Sequence, residues 1–366
     1  MRHHLVPQMY LRRFADERGN LTMVDRDRDL PARTVSVNNA CNESGYYSIP
    51  ADDLEERARD GHDPELVEKL FASIESDAAV VLERIVREQV LPERGSAERF
   101  DLALLVSQQI TRGWGFRARM EEHVNVLARM HMEPELTAER LGERLRRMGE
   151  SSGPADVEAY RKEILEGDWR VRPGRSFMIQ QGIHAAYEVA LPEVLRRGWR
   201  LRVFERPVLL TSDEPVALWS PGPYVPGIGT ADTYWWPIDR HHLLSMSTRR
   251  VDEVVADAPL SRARQVNQLV AQQAHRWIFH HPDDDGLGDA VLPPRERLVR
   301  ETVDVTVTPT EVRELVHVVR RREPWGDERS AGGSLGALSA RGASPQARNV
   351  EPPDERCGEQ GAFTRG

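Results

Sequence analysis

Between Asp63 and Glu88 the apolar residues Leu66, Leu70, Ile74, Ala78, Val81 and Ile85 recur at steps of three and four. That spacing puts them on one face of an α-helix, which Asp63-Pro64 starts. The same period predicts a long helix from Ala97 to Met130, weaker ones over Leu136 to Met148 and Asp156 to Leu165, and another from Phe177 to Leu195 that Gly198 stops. Ahead of these, Pro7 begins a short helix to Ala15 with Leu11 and Phe14 on one face, and Gly19-Asn20 turns the chain. Leu21 to Asp25 and Arg33 to Val37 then read as a strand pair, and Asn38 to Tyr47 as loop.

After Gly198 the period changes. Trp199 to Glu205, Val208 to Thr211, Val216 to Trp219, Tyr234 to Ile238 and Leu243 to Ser247 are short β-rich runs divided by Pro, Gly and Asp. They predict an antiparallel sheet. A helix from Leu260 to Phe279, a β-run from Leu298 to Val307 and a last helix from Pro309 to Val319 complete the pattern. Helices and strands are segregated, so the expected class is α+β: an N-terminal helix and strand pair, a helical middle, and an antiparallel sheet with C-terminal helices. Residues 1–322 are expected to form a single domain, helical over about 63–197 and sheet-rich over about 198–322. From Glu323 to Gly366 the 44 residues hold 8 Gly, 6 Ala, 4 Ser and 4 Pro, a composition expected to stay disordered.

The chain carries 50 Lys plus Arg against 59 Asp plus Glu, a formal charge of -9, which disfavours a nucleic-acid grip spread over the whole surface but leaves room for a local basic groove. No stretch reaches the ~20 apolar residues that span a bilayer. No membrane association and a cytoplasmic location are therefore expected. With only Cys41 and Cys357, a disulfide framework or a Cys-rich zinc module is excluded.

Several motifs stand out. His3-His4-Leu5-Val6-Pro7-Gln8 is followed by Tyr10, Leu11 and Phe14, then by Gly19-Asn20-Leu21. Further along come Asn42-Glu43, Tyr46-Tyr47, Ile74-Glu75, Arg112, Thr211-Ser212-Asp213-Glu214-Pro215-Val216, Trp236-Pro237-Ile238 and Asn267. In this order they resemble the bacterial domain of unknown function family numbered 4238, over roughly residues 1 to 285. The resemblance implies a shared fold and site and supplies no reaction.

The residues themselves suggest chemistry. His3 and His4 precede a helix N-terminus, which disfavours imidazolium and favours the neutral ring that binds a metal or accepts a proton. Asp213 and Glu214 end an apolar strand, where a carboxylate suits a metal ligand or general base, or caps backbone N–H groups in a turn. On the long helix, Asp101, Gln108, Arg112 and Arg119 share a stripe that is either its one solvent face or the wall of a pocket. In a pocket Arg112 would bind an anion; alternatively it pairs with Glu75. Asn267 shares a face with Val270, Ala274 and Ile278 and is a partly buried amide in need of partners. His241-His242 reads as a hairpin turn, His280-His281 as the start of a solvated acidic loop, and Gly332-Gly333-Ser334-Leu335-Gly336 as a chance match to a nucleophile elbow.

Two functions are consistent with these residues. One is a metal-dependent hydrolase acting on phosphodiester or nucleic acid substrates. In it His3, His4 and Asp213 hold one divalent ion (Mn, Mg or Zn), Asp213 and Arg112 are catalytic, and Arg112, Gln108 and Asn267 bind substrate. The other is a non-enzymatic ligand-binding or regulatory module, in which the same residues form a polar pocket for a phosphate-bearing ligand or brace the N-terminal segment against the sheet.

Overall fold

The computed structural model describes residues 2–27, 29–51, 56, 62–167, 169–221, 225–287 and 292, together with the backbone of 297–307 and 312–321. Strand β1 (Arg2–His4) leads into α1 (Gln8–Leu11), a 3-10 turn, and strands β2 (Asn20–Asp25), β3 (Arg33–Ser36) and β4 (Asn42–Ser44). The helical middle follows: α2 (Leu66–Glu88), α3 (Ala97–Thr111), α4 (Trp114–Met132), α5 (Ala138–Met148), α6 (Pro154–Glu166) and α7 (Arg175–His184). A π-helical segment, Ala185–Ala190, joins α7 to α8 (Leu191–Arg196). Pro192 explains the widening, because it has no N–H for the carbonyl four residues back and its ring crowds that carbonyl.

Strands β5 (Gly198–Val203), β6 (Thr211–Ser212), β7 (Ala217–Trp219), β8 (Thr233–Pro237), β9 (His242–Ser247) and β10 (Glu253–Val255) come next, then α9 (Leu260–Gln273), β11 (Trp277–His280), β12 (Arg297–Val307) and β13 (Val312–Arg321). The α+β class is borne out, with two main sheets where the sequence pattern suggested one. The larger runs β10-β5-β9-β8-β7, antiparallel except for the parallel β10 edge. The other runs β3-β2-β11-β6, so the N-terminal strand pair is completed by strands more than 170 residues later.

Four elements depart from the pattern, the first being Asn42–Ser44, expected as loop, which is strand β4 paired with β1. The helix expected over Ala97 to Met130 breaks at Arg112-Gly113 into α3 and α4. The helix expected to reach Phe279 stops at Gln273, and Trp277–His280 pairs instead with β2 and β6. Pro309 to Val319, expected as a helix, is largely strand β13 in an antiparallel hairpin with β12; its valines favour a strand once a partner is available. The expected disordered tail, 323–366, lies outside the described residues.

Helix α3 sits at the centre. Every residue from Leu102 to Thr111 is buried, so this stretch of the helix has no solvent-facing side. Ser96 caps its start, Oγ accepting from Arg99 N at 3.2 Å. Around it pack Ile74, Ala78 and Val81 of α2, the α8 residues Leu191 and Val194, and the sheet residues Trp199, Tyr234 and Trp236. Helices α5 and α6 hold a separate small core of Leu141, Leu145 and Val157.

Tyr10 ties the N-terminal segment to both sheets. Its hydroxyl donates to Pro237 O at 2.7 Å, lies 2.8 Å from Thr211 Oγ1, and its ring stacks on Trp236. Replacing it by Phe leaves a buried carbonyl without its donor. Tyr10→Phe is therefore expected to lower stability by about 1–3 kcal/mol in urea unfolding; a loss below about 0.5 kcal/mol would show that the hydroxyl is not what joins these segments.

Candidate functional site

Arg112 is the C-cap residue of α3, and its side chain is only 3% exposed. Nε donates to Leu5 O at 2.6 Å, Nη2 to His4 O at 3.1 Å, and Nη1 to Glu75 Oε1 at 2.8 Å, while the guanidinium lies over Phe71. A buried cation must be paired to persist. Here the pairing is the alternative foreseen with Glu75, and two backbone carbonyls of the N-terminal segment complete it. Arg112 therefore positions β1, with each of its three guanidinium nitrogens bonded within the chain.

The segment Thr211–Glu214 makes a second set of ties. Asp213 accepts three backbone N–H bonds at 2.8 Å, Oδ1 from His275 and Oδ2 from Arg276 and Trp277, fixing the passage from α9 into β11. Glu214 Oε1 accepts from Gly115 N at 2.8 Å in the first turn of α4, and Oε2 meets Arg119 Nη2 at 3.2 Å. A carboxylate at a helix N-terminus is favourably placed. Its approach also explains two glycines, since a Cβ would stand 2.6 Å from Glu214 Oε1 at Gly113 and 2.4 Å at Gly115. Burial raises the pKa of both carboxyls. Burial and the neighbouring Glu214 push Asp213 up to about 7, against the pull of its three N–H donors.

His3, His4 and Asn267 are also engaged within the chain. His3 is buried in β1, its Nδ1 accepting from Tyr47 N at 2.8 Å and its ring stacked on Tyr47. His4 lies 3.2 Å from Asn38 O through Nε2 and touches the Gln8 amide. Burial lowers both histidine pKa values, so the neutral form expected for them is favoured. Asn267 spends its amide on backbone, accepting from Leu210 N at 3.2 Å and donating to Val208 O at 2.7 Å. Among the described residues no three His, Cys, Asp or Glu side chains are grouped as a metal-ligand set; His3, His4 and Asp213 are not brought together as one. Gln108 is buried and lines a narrow slot, so Gln108 and Arg112 of the expected stripe face inward, while Arg119 lies beyond the helix break.

The aromatic residues complete this junction. Tyr47 Oη donates to Arg112 O at 3.0 Å and Tyr46 Oη to Gly113 O at 3.2 Å, while Trp114 Nε1 donates to Glu43 Oε2 at 2.6 Å. Thus residues 4, 5, 43, 46, 47, 75 and 214 all meet residues 112–119.

Beside the junction, α4 forms the floor of a polar cleft of about 910 Å3. Gly115, Arg119, Glu122 and Val126 line it, with the 170–173 segment and the 272–275 turn as its other walls. The 170–173 segment is strapped across α4 by Asn125, whose Nδ2 donates to Val171 O at 3.0 Å and whose Oδ1 accepts from Val171 N at 2.7 Å. Arg129 holds the approach to it by donating to the carbonyls of Leu165, Gly167 and Trp169. Five arginines, 26, 119, 129, 170 and 172, line the cleft against two glutamates, 121 and 122. Arg170 and Arg172 are exposed, and neither has an acceptor among the described residues. Sequence reading missed them because Arg170-Val171-Arg172 has no periodicity and arginine is common throughout this chain.

A family model described as Protein of unknown function (DUF4238) matches residues 2–284. Comparison with curated proteins and with solved structures gave no match. Among the described residues, no helix is long and apolar enough to cross a membrane.

Two outcomes follow from the junction. Alanine normally stabilises a helix relative to glycine by about 1 kcal/mol, yet Gly115→Ala is expected to destabilise by about 1–3 kcal/mol through overlap with Glu214. Urea unfolding should show a smaller loss in a Glu214→Ala background, and an additive pair would refute the contact. For Asp213 the folded pKa lies above the ordinary aspartate value of about 3.9. Its contribution to stability is fully present below about pH 4 and is lost as pH rises towards 7, because the native state holds a proton that the unfolded chain releases. Urea midpoints between pH 4 and 8 should fall less steeply in Asp213→Asn; an unchanged slope would assign the titration elsewhere.

Proposed function

The chain belongs to this family of proteins of unknown function, and we propose that it is a ligand-binding module whose site is the polar cleft on α4, taking a small phosphate-bearing anion. The observation that carries this reading is the gathering of five arginines around one cleft in a chain of net charge -9. Planar guanidinium groups suit phosphate oxygens, which they meet in paired hydrogen bonds. The arginines divide into two kinds. Arg26 and Arg129 spend donors on backbone carbonyls and build the walls. Arg119, held by Glu214, and the exposed Arg170 and Arg172 supply charge to the cleft.

Binding is favoured over metal-assisted hydrolysis because His4 and Asp213 already serve carbonyl and N–H groups and His3 Nδ1 accepts from Tyr47 N, which leaves His3 Nε2 as the one ring nitrogen of that design without a partner among the described residues. The same engagement favours a bracing role for the residues that stood out in the sequence.

Titration calorimetry with inorganic pyrophosphate and with ATP tests the reading. Arg170→Glu combined with Arg172→Glu is expected to weaken binding at least about tenfold, with the circular dichroism spectrum unchanged. Equal affinity in wild type and the double variant would sink the cleft as the site. Binding that requires Mn2+ and is abolished by Asp213→Asn would replace this reading with the hydrolase.

A further inference from the structure

The cleft on α4 is graded along its length. With a step of about 100° per residue, Gly115, Arg119, Glu122 and Val126 fall within an arc of about 60° on one side of the helix, and all four line the cleft. At a rise of about 1.5 Å per residue, Arg119 and Val126 stand about 10 Å apart along the axis, with Glu122 between them. The floor therefore presents a cation, a carboxylate and an aliphatic side chain in that order. The strap repeats the grading. Arg129 holds it at Gly167 and Trp169, and Asn125 holds it at Val171, so the strap runs against the direction of α4. Val171 lies beside the aliphatic end of the floor, and Arg172 follows it toward the Arg119 end.

This series does not suit a bare phosphate. The space of about 910 Å3 lies in the range of sites that enclose a drug-sized molecule, and a diphosphate alone leaves most of it empty. Glu121 and Glu122 repel further phosphates beyond Arg119, so negative charge is confined to one end of the ligand. A carboxylate accepts up to about four hydrogen bonds, so Glu122 can take a pair of neighbouring hydroxyls in addition to its contacts within the chain. Past it, Val126 is half-buried and Val171 is 39% exposed. Both line the cleft, and Val171 is anchored through its main chain. Together they offer an apolar surface that a flat ring covers.

Taking the cleft as a phosphate site, we infer that its ligand is a ribonucleoside di- or triphosphate. The phosphates lie between Arg119 and Arg172, the ribose hydroxyls meet Glu122, and the base rests against Val126 and Val171. A nucleotide carries these three parts in the same order. A carboxylate on a ribose hydroxyl is a recurrent way of holding a nucleotide's sugar. Inorganic polyphosphate and a nucleic-acid backbone repeat their charge along their length, and the carboxylates of Glu121 and Glu122 disfavour both.

Calorimetry on the full chain with ADP, 2′,3′-dideoxy-ADP and pyrophosphate tests the inference. Two valines do not distinguish one base from another, so ADP serves as the probe. It is expected to bind at least about tenfold more tightly than pyrophosphate, and Val171→Asn to bring that ratio to within about twofold. The dideoxy form is expected to bind about three- to tenfold more weakly than ADP, a difference that Glu122→Gln removes. Each ratio is measured within one protein, so a general loss of affinity imitates neither effect, and either variant decides the matter if the other does not fold. Three results would each overturn the inference and leave the phosphate site standing: equal affinity for ADP and pyrophosphate, equal affinity for ADP and its dideoxy form, or preferences that survive the variants. If neither pyrophosphate nor ADP binds, the phosphate reading of the cleft fails and this inference falls with it.

Discussion

The buried guanidinium of Arg112 is the constraint on which the other parts of this fold rest. A cation removed from water is tolerated only with its donors satisfied, and here the satisfying groups come from three places: the carbonyls of His4 and Leu5, the Glu75 carboxylate on α2, and the face of Phe71. The N-terminal segment is thus a structural necessity. Once β1 is held, Leu5 N reaches Cys41 O and His3 receives Tyr47 N, which sets the 40–47 segment over the same junction. Tyr47 closes the circle by donating to the carbonyl of Arg112 itself.

The second constraint is steric. Glu214 enters where Gly113 and Gly115 leave room, takes the Gly115 N–H and orients Arg119. The break between α3 and α4 is the backbone's accommodation of that carboxylate, and it turns a single long helix into a buried half and a half that carries a cleft. Asp213, one residue earlier, secures the turn that forms the cleft's opposite wall. One short segment thereby fixes both sides of the opening. The junction and the cleft are mechanically one unit although different residues serve each.

Much of the fold was legible because local signals agreed with tertiary demands. The three- and four-residue steps of α2 and the Pro7 start both appear where the pattern puts them. Elements that depend on a distant partner were harder. Trp277–His280 continues a helical pattern in sequence and becomes a strand because β2 and β6 present open edges to it. For the site, the sequence marked Arg112, Asp213, His3 and Asn267 as chemically notable, and each turned out to bond backbone groups of the chain, with Arg112 also paired to Glu75 and His3 Nε2 left without a partner among the described residues. Residue type and spacing reveal that a group needs partners; they do not reveal whether those partners are a ligand or the chain itself. Gln108 is the informative case, since the same stripe that contains the committed Arg112 also contains an amide with no partner among the described residues.

The division of labour around the cleft has a consequence for specificity. Of the arginines that offer charge to a ligand, Arg119 alone is tied to the junction, through Glu214. The strap that carries Arg170 and Arg172 is held through main-chain atoms: Asn125 bonds the amide and carbonyl of Val171, and Arg129 bonds the carbonyls of Leu165, Gly167 and Trp169. Backbone anchoring fixes where the strap lies without dictating which side chains it presents. Residues 170 and 172 can therefore change without disturbing the brace, whereas a change at Arg112, Asp213 or Glu214 strips buried groups of their partners. The residues that make the chain recognisable preserve a frame, and the choice of ligand falls to side chains that the frame leaves unconstrained.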